Sequence, residues 1–173
     1  SINNSTYPYT GYISDMRIVK GTAVYTTTFT PPTSPLTAIT NTQLLTLQNN
    51  QPTNNNMFVD NSAQNYLITR GNTATQGAYN PYSGGYSTYF NGSNAYLTNT
   101  LGTSLQFSAD FTVECWVYPV TRAQSYPQIF GNYTNFDGGG GVLALWAGHG
   151  SGTTTKYQVG INGVFPAIQS STS

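Results

Sequence analysis

The chain has 173 residues, and its five basic and five acidic side chains make up only 6% of it, where roughly 25% is usual. That balance leaves no electrostatic drive toward nucleic acid or an anionic membrane surface, while 14% aromatic content argues against a disordered polar tract. A single cysteine, Cys115, excludes an internal disulfide and a multi-cysteine metal site, and no run nears the ~20 apolar residues of a membrane-spanning helix.

Helical periodicity is absent, and short stretches rich in Val, Ile, Thr, Tyr and Phe alternate with clusters of Gly, Asn, Ser and Pro. The first predicted strand covers residues 12–19. Pro31, Pro32 and Pro35 withhold ladder donors, so 31–42 reads as a connector, followed by a strand at 43–47. A polar Asn/Gln loop at 49–56 leads to a strand at 66–69, and a Tyr, Gly and Pro loop at 76–85 leads to strands at 87–90 and 95–98. Further strands are predicted at 111–119, 128–133, 142–146 and 157–161. The expected fold class is all-β, a two-sheet antiparallel sandwich.

The strand at 111–119 is the clearest. Phe111, Val113, Cys115 and Val117 alternate with Thr112, Glu114, Trp116 and Tyr118, so the first set faces the core. The second set mixes aromatics with a carboxylate, as on a face covered by loops or shaped for binding. Cys115 then reads as a small buried residue rather than a reactive thiol.

Two segments resemble a known family. Gly84-Gly85-Tyr86-Ser87-Thr88-Tyr89-Phe90-Asn91-Gly92-Ser93-Asn94-Ala95-Tyr96-Leu97, followed by Phe111-Thr112-Val113-Glu114-Cys115-Trp116-Val117-Tyr118-Pro119, resembles the opening half of a laminin-G-like, concanavalin A-type jelly roll. Gly11-Tyr12-Ile13-Ser14-Asp15-Met16-Arg17-Ile18-Val19-Lys20-Gly21-Thr22-Ala23-Val24-Tyr25 resembles the closing strand of the same family, and its continuation into Phe29-Thr30-Pro31-Pro32 resembles tandem copies in marine phage tail and fibre proteins and bacterial surface proteins. The closing segment precedes the opening one. The resemblance therefore implies that residues 1–38 end one repeat and 39–173 open the next, which packs as one sandwich if residues 11–19 close the sheet within the chain or is completed by strand exchange. It implies an extracellular or virion-surface setting, which suits a surface that depends little on ion pairs.

Catalysis finds little footing in the sequence. Glycosidic hydrolysis uses two placed carboxylates, and Glu114 is the only glutamate; its neighbour Asp110 precedes the strand. The sole histidine, His149, sits in a Gly-rich turn, and the run Gly138–Gly141 lacks the following helix and Lys-Ser or Lys-Thr of a phosphate cradle. No catalytic residue and no organic cofactor is expected. Members of the resembled family often hold calcium, for which Asp60, Asp110 and Asp137 would be the contributors, but turn capping is the expected role of each.

Sugar recognition needs flat apolar faces and neutral hydrogen-bonding groups, which this composition supplies. Tyr126, Tyr133, Phe136, Trp146 and His149 fall around one predicted hairpin and form the expected ligand rim. The functional expectation is a non-catalytic module that binds a glycan or cell-surface polysaccharide. The alternative is a structural repeat that packs against copies of itself, with no nucleic-acid partner and no membrane insertion in either case.

Overall fold

The computed structural model of the chain describes residues 8–48, 58–77, 79–84, 87–99, 107–121, 127–131, 143–147, 156–161 and 164–170. These form eleven strands: β1 (Thr10–Lys20), β2 (Thr42–Thr46), β3 (Ile68–Gly71), β4 (Thr75–Gly77), β5 (Ser87–Asn91), β6 (Tyr96–Asn99), β7 (Phe111–Thr121), β8 (Gln128–Gly131), β9 (Leu143–Ala147), β10 (Tyr157–Ile161) and β11 (Val164–Gln169). Every ladder is antiparallel, and no helix occurs among the described residues. The all-β expectation is met.

β1 is the spine of the first sheet. Along one edge it pairs with β7 over its whole length, and along the other it meets β5 at Thr10–Ile13 and β2 at Met16–Val19, with β4 added beyond β5. A meander of β8, β9, β10 and β11 makes the second sheet, and β3 and β6 form a separate ribbon. In the ribbon Tyr96 lies opposite Gly71 and its ring covers that backbone, so a Cβ on Gly71 would collide with it. Cross-strand cover of this kind restores packing at a glycine that has none of its own.

One apolar core unites the two larger sheets: Ile13, Met16 and Ile18 of β1 and Leu44 of β2 meet Ile129, Phe130, Leu143 and Ala147 of the second. Each large apolar side chain fully buried there contributes about 1.5–3 kcal/mol. Phe111, Val113, Cys115 and Val117 pack against this core, the face their alternation predicts. The result is sandwich-like.

β1 is buried on both faces because residues 21–38 fold back over it. A bulge places Asp15 and Met16 opposite Cys115 alone, between the pairs Ser14↔Trp116 and Arg17↔Glu114. Asp15 takes φ +55°, rare for a residue with a Cβ but tolerated by Asp, whose side chain can bond locally. Its buried carboxylate accepts hydrogen bonds from Leu36 N at 2.8 Å, Gln48 Nε2 at 2.8 Å and Tyr82 Oη at 3.0 Å. One side chain thus ties the connector, the end of β2 and the 79–84 loop to the spine.

Three strands depart from the sequence expectation. β4 is a three-residue Thr-Gln-Gly segment without apolar alternation, and β11 contains Pro166, which confines it to a sheet edge, where it indeed lies. The predicted strand at 66–69 runs instead as Ile68–Gly71, because Tyr66 N is taken by the Asp60 carboxylate.

Candidate functional site

The outer face of the first sheet carries an aromatic cleft. Tyr12 of β1 and Tyr118 of β7 are direct cross-strand partners, as are Ser14 and Trp116, so all four side chains share that face. The 79–84 loop crosses above them and brings in Tyr79, Asn80 and Pro81, closing a cavity of about 310 Å³ with Ser87 and Val117 on its walls. Tyr79 and Tyr118 stack at 4.7 Å with 16° between their planes, while remaining 51% and 52% exposed. Tyr12 joins them, 4.7 Å from Tyr79 and 5.0 Å from Tyr89. Its ring lies over Gly77, where any Cβ would clash, so a residue without a side chain is what lets the floor of the cleft lie flat.

Hydrogen bonds fix the roof. Trp116 Nε1 donates to Tyr82 Oη at 2.5 Å, and Tyr82 in turn donates to Asp15. Burial pushes the Tyr82 phenol up to about 12, opposed by the Trp116 donor and reinforced by the Asp15 charge, so it stays a neutral donor through the physiological range. None of the nine residues that line the cleft is charged. Such a surface offers ring faces, hydroxyls and an amide, which suits a neutral polyhydroxylated ligand better than an ionic one.

The acidic residues are engaged elsewhere. Glu114 accepts from Arg17 Nε at 2.7 Å and Arg17 Nη2 at 2.5 Å on one oxygen, and from Tyr25 Oη at 2.5 Å on the other. Asp15, which sequence reasoning did not bring near Glu114, lines with it a second cavity of about 360 Å³, yet both of its oxygens are also bonded. Fixed donors from the surrounding protein thus hold both carboxylates.

Asp60 is buried, its oxygens taken by Leu45 N, Ser62 N, Ser62 Oγ and Tyr66 N at 2.8–3.0 Å. Asp110 is exposed, and its carbonyl accepts Gly21 N at 2.6 Å. The turn at 91–94 is organised by Asn91 Oδ1, which accepts the amides of Ser93, Asn94 and Ala95. No group of three or more His, Cys, Asp or Glu that could hold a metal ion occurs among the described residues.

Of the expected ligand rim, Tyr126, Tyr133, Phe136 and His149 lie outside the described residues, as does Asp137. Trp146 is 2% exposed, with its indole inside the protein in β9. The cleft residues Tyr12, Tyr79 and Tyr118 were not singled out from sequence. Tyr118 already stood on the outward face of its strand, but the partners that complete the cleft are 39 and 106 positions away, a register no local pattern encodes.

No known family model matches this chain, and neither the curated proteins nor the solved structures contain a match to it.

Proposed function

We propose that the chain is a non-catalytic carbohydrate-recognition module, an adhesion element of a phage fibre or microbial surface protein, built on a laminin-G-like jelly roll. The observation that carries this reading is the uncharged cleft with two exposed stacked tyrosines at its mouth. The fold assignment draws support from the two motif-bearing segments, which lie side by side as β1 and β7. Tyrosine rings give sugar C–H faces a large contact at small entropic cost, and the phenol hydroxyls of the half-exposed Tyr79 and Tyr118 supply neutral hydrogen-bonding groups.

A glycan array of neutral and acidic oligosaccharides probed with the wild-type chain and with Tyr118→Ala tests this. Binding to neutral glycans that falls at least about tenfold in Tyr118→Ala, with thermal stability kept, supports the reading. Equal binding by both proteins, or binding to acidic glycans alone, overturns it.

A second reading, a structural module that assembles through its sheet edge, is favoured by the long outer edge of β7, which is unpaired among the described residues. Ordered filaments or paired protomers together with a blank array would support it.

A further inference from the structure

We propose that the cleft selects a deoxyhexose, a neutral sugar whose exocyclic carbon is a methyl rather than a hydroxymethyl group, and that this methyl is the part taken in among the rings. The inference rests on the carbohydrate reading and narrows it to one class of sugar.

Side-chain rings line the cleft from three parts of the chain. Tyr12 comes from β1, Trp116 and Tyr118 from β7, and Tyr79 and Pro81 from the 79–84 loop. These five rings surround a space of about 310 Å³, at the small end of the roughly 300–1,000 Å³ usual for ligand pockets. Tyr79 and Tyr118 lie face to face at 4.7 Å, so a ligand meets their edges and outer faces rather than a slot between them.

Polar groups that share these walls are turned to the protein itself. Ser14, 3% exposed, directs its hydroxyl to Leu47 O at 3.5 Å, and Ser87, 1% exposed, directs its own to Gly77 O at 3.4 Å. Asn80 Oδ1 accepts Tyr82 N at 2.6 Å, and Trp116 Nε1 donates to Tyr82 Oη at 2.5 Å. Tyr79 and Tyr118 are half-exposed, so their phenols are hydroxyls that a ligand reaches from solvent.

This division sorts the groups of the sugar. A hydroxyl pushed among the rings sheds its water without gaining a partner in exchange, which is unfavourable, whereas a methyl in the same place gains apolar contact. An acetamido methyl suits the site less, because the amide N–H and C=O beside it are desolvated along with it. The ring hydroxyls of a deoxyhexose stay at the mouth, where they meet the two phenols and water. A methyl at one end and hydroxyls at the other is the arrangement that satisfies both parts of the cleft.

Calorimetric titration of the 173-residue chain with matched methyl glycosides tests this: L-fucose against L-galactose, L-rhamnose against L-mannose and D-quinovose against D-glucose, each pair alike in configuration and differing by a single oxygen. Apolar pockets reject an added hydroxyl by up to about a hundredfold, and in the pair that binds best the deoxy sugar should be tighter by at least about fivefold. The glycoside of N-acetylglucosamine should bind no more tightly than that of glucose. Saturation-transfer NMR with irradiation of the aromatic protons should give its largest effect at the exocyclic methyl. Equal affinities within each pair, tighter binding of the hydroxylated or acetamido sugar, or a largest effect at protons remote from the methyl would overturn the proposal and leave the carbohydrate reading standing. So would silence of all these sugars with a chain that binds other neutral glycans on the array. Silence of these sugars and of the array alike would overturn both.

Discussion

Replacing Asp15 with alanine probes the node that joins the spine strand, the proline connector and the roof of the cleft. The carboxylate holds three donors, Leu36 N, Gln48 Nε2 and Tyr82 Oη. A hydrogen bond to a charged group contributes about 1.5–3 kcal/mol net, and leaving the buried Leu36 amide unsatisfied costs about 1–3 kcal/mol. Because all three bonds share one side chain they do not add fully, and we expect Asp15→Ala to lose about 3–5 kcal/mol. For a chain of this size each 1 kcal/mol lowers Tm by about 2–4 °C, so the midpoint should fall by about 6–20 °C. Asp15→Gly loses the same bonds but adopts φ +55° freely, and should be about 1 kcal/mol more stable than the alanine variant. Urea unfolding of the three proteins gives these differences directly. An alanine variant within about 1 kcal/mol of wild type, or a glycine variant less stable than the alanine one, would refute the reasoning.

Other changes read out other parts of the molecule. Glu114→Ala strands the buried Arg17 guanidinium and should cost about 3–5 kcal/mol in denaturant unfolding. Trp146→Ala, at a site 2% exposed, should lose about 3–5 kcal/mol through the cavity it leaves, with glycan affinity per folded molecule unchanged. Neutral groups set the alkaline limit: burial pushes the Cys115 thiol and the Tyr82 phenol up to about 12, and raises the Tyr9 and Tyr25 phenols as well. A raised folded-state value means the stabilisation is complete below the ordinary thiol and phenol values near 9 and 10, and is lost as pH climbs toward 12. Thermal midpoints measured from pH 8 to 12 should decline across that window, and the decline should be shallower in Tyr82→Phe. At pH 8 the protonated Cys115 should react with iodoacetamide far more slowly than free cysteine, as mass spectrometry would show.

Local pattern was enough to locate most strands, because a half-buried strand writes its burial into every second residue. Phe111, Val113, Cys115 and Val117 on one face and Glu114, Trp116 and Tyr118 on the other could be read that way. What alternation cannot carry is who lies beside whom. The pairing of Tyr12 with Tyr118, and so the cleft, depends on a register set over more than a hundred residues and on a bulge at Asp15. That bulge has a faint trace in the sequence, where Ser14-Asp15 interrupts the alternation between Ile13 and Met16. β4 left no trace, since its Thr-Gln-Gly gains its place only by pairing with β5. Trp146 shows the converse problem: an aromatic beside a glycine-rich turn looks available to ligand from sequence, yet it is buried on the face of β9 opposite Leu143 and Ala147.

The central claim is that recognition here is aromatic and neutral. Calorimetric titration of the strongest neutral array hit into the wild-type chain, in 0.05 M and 1 M NaCl, tests it most directly. The account predicts an affinity that changes by less than about twofold between the two salts, with a negative heat-capacity change on binding. A fall of about tenfold at high salt, or conversion of the oligosaccharide to shorter products in the cell, would contradict it.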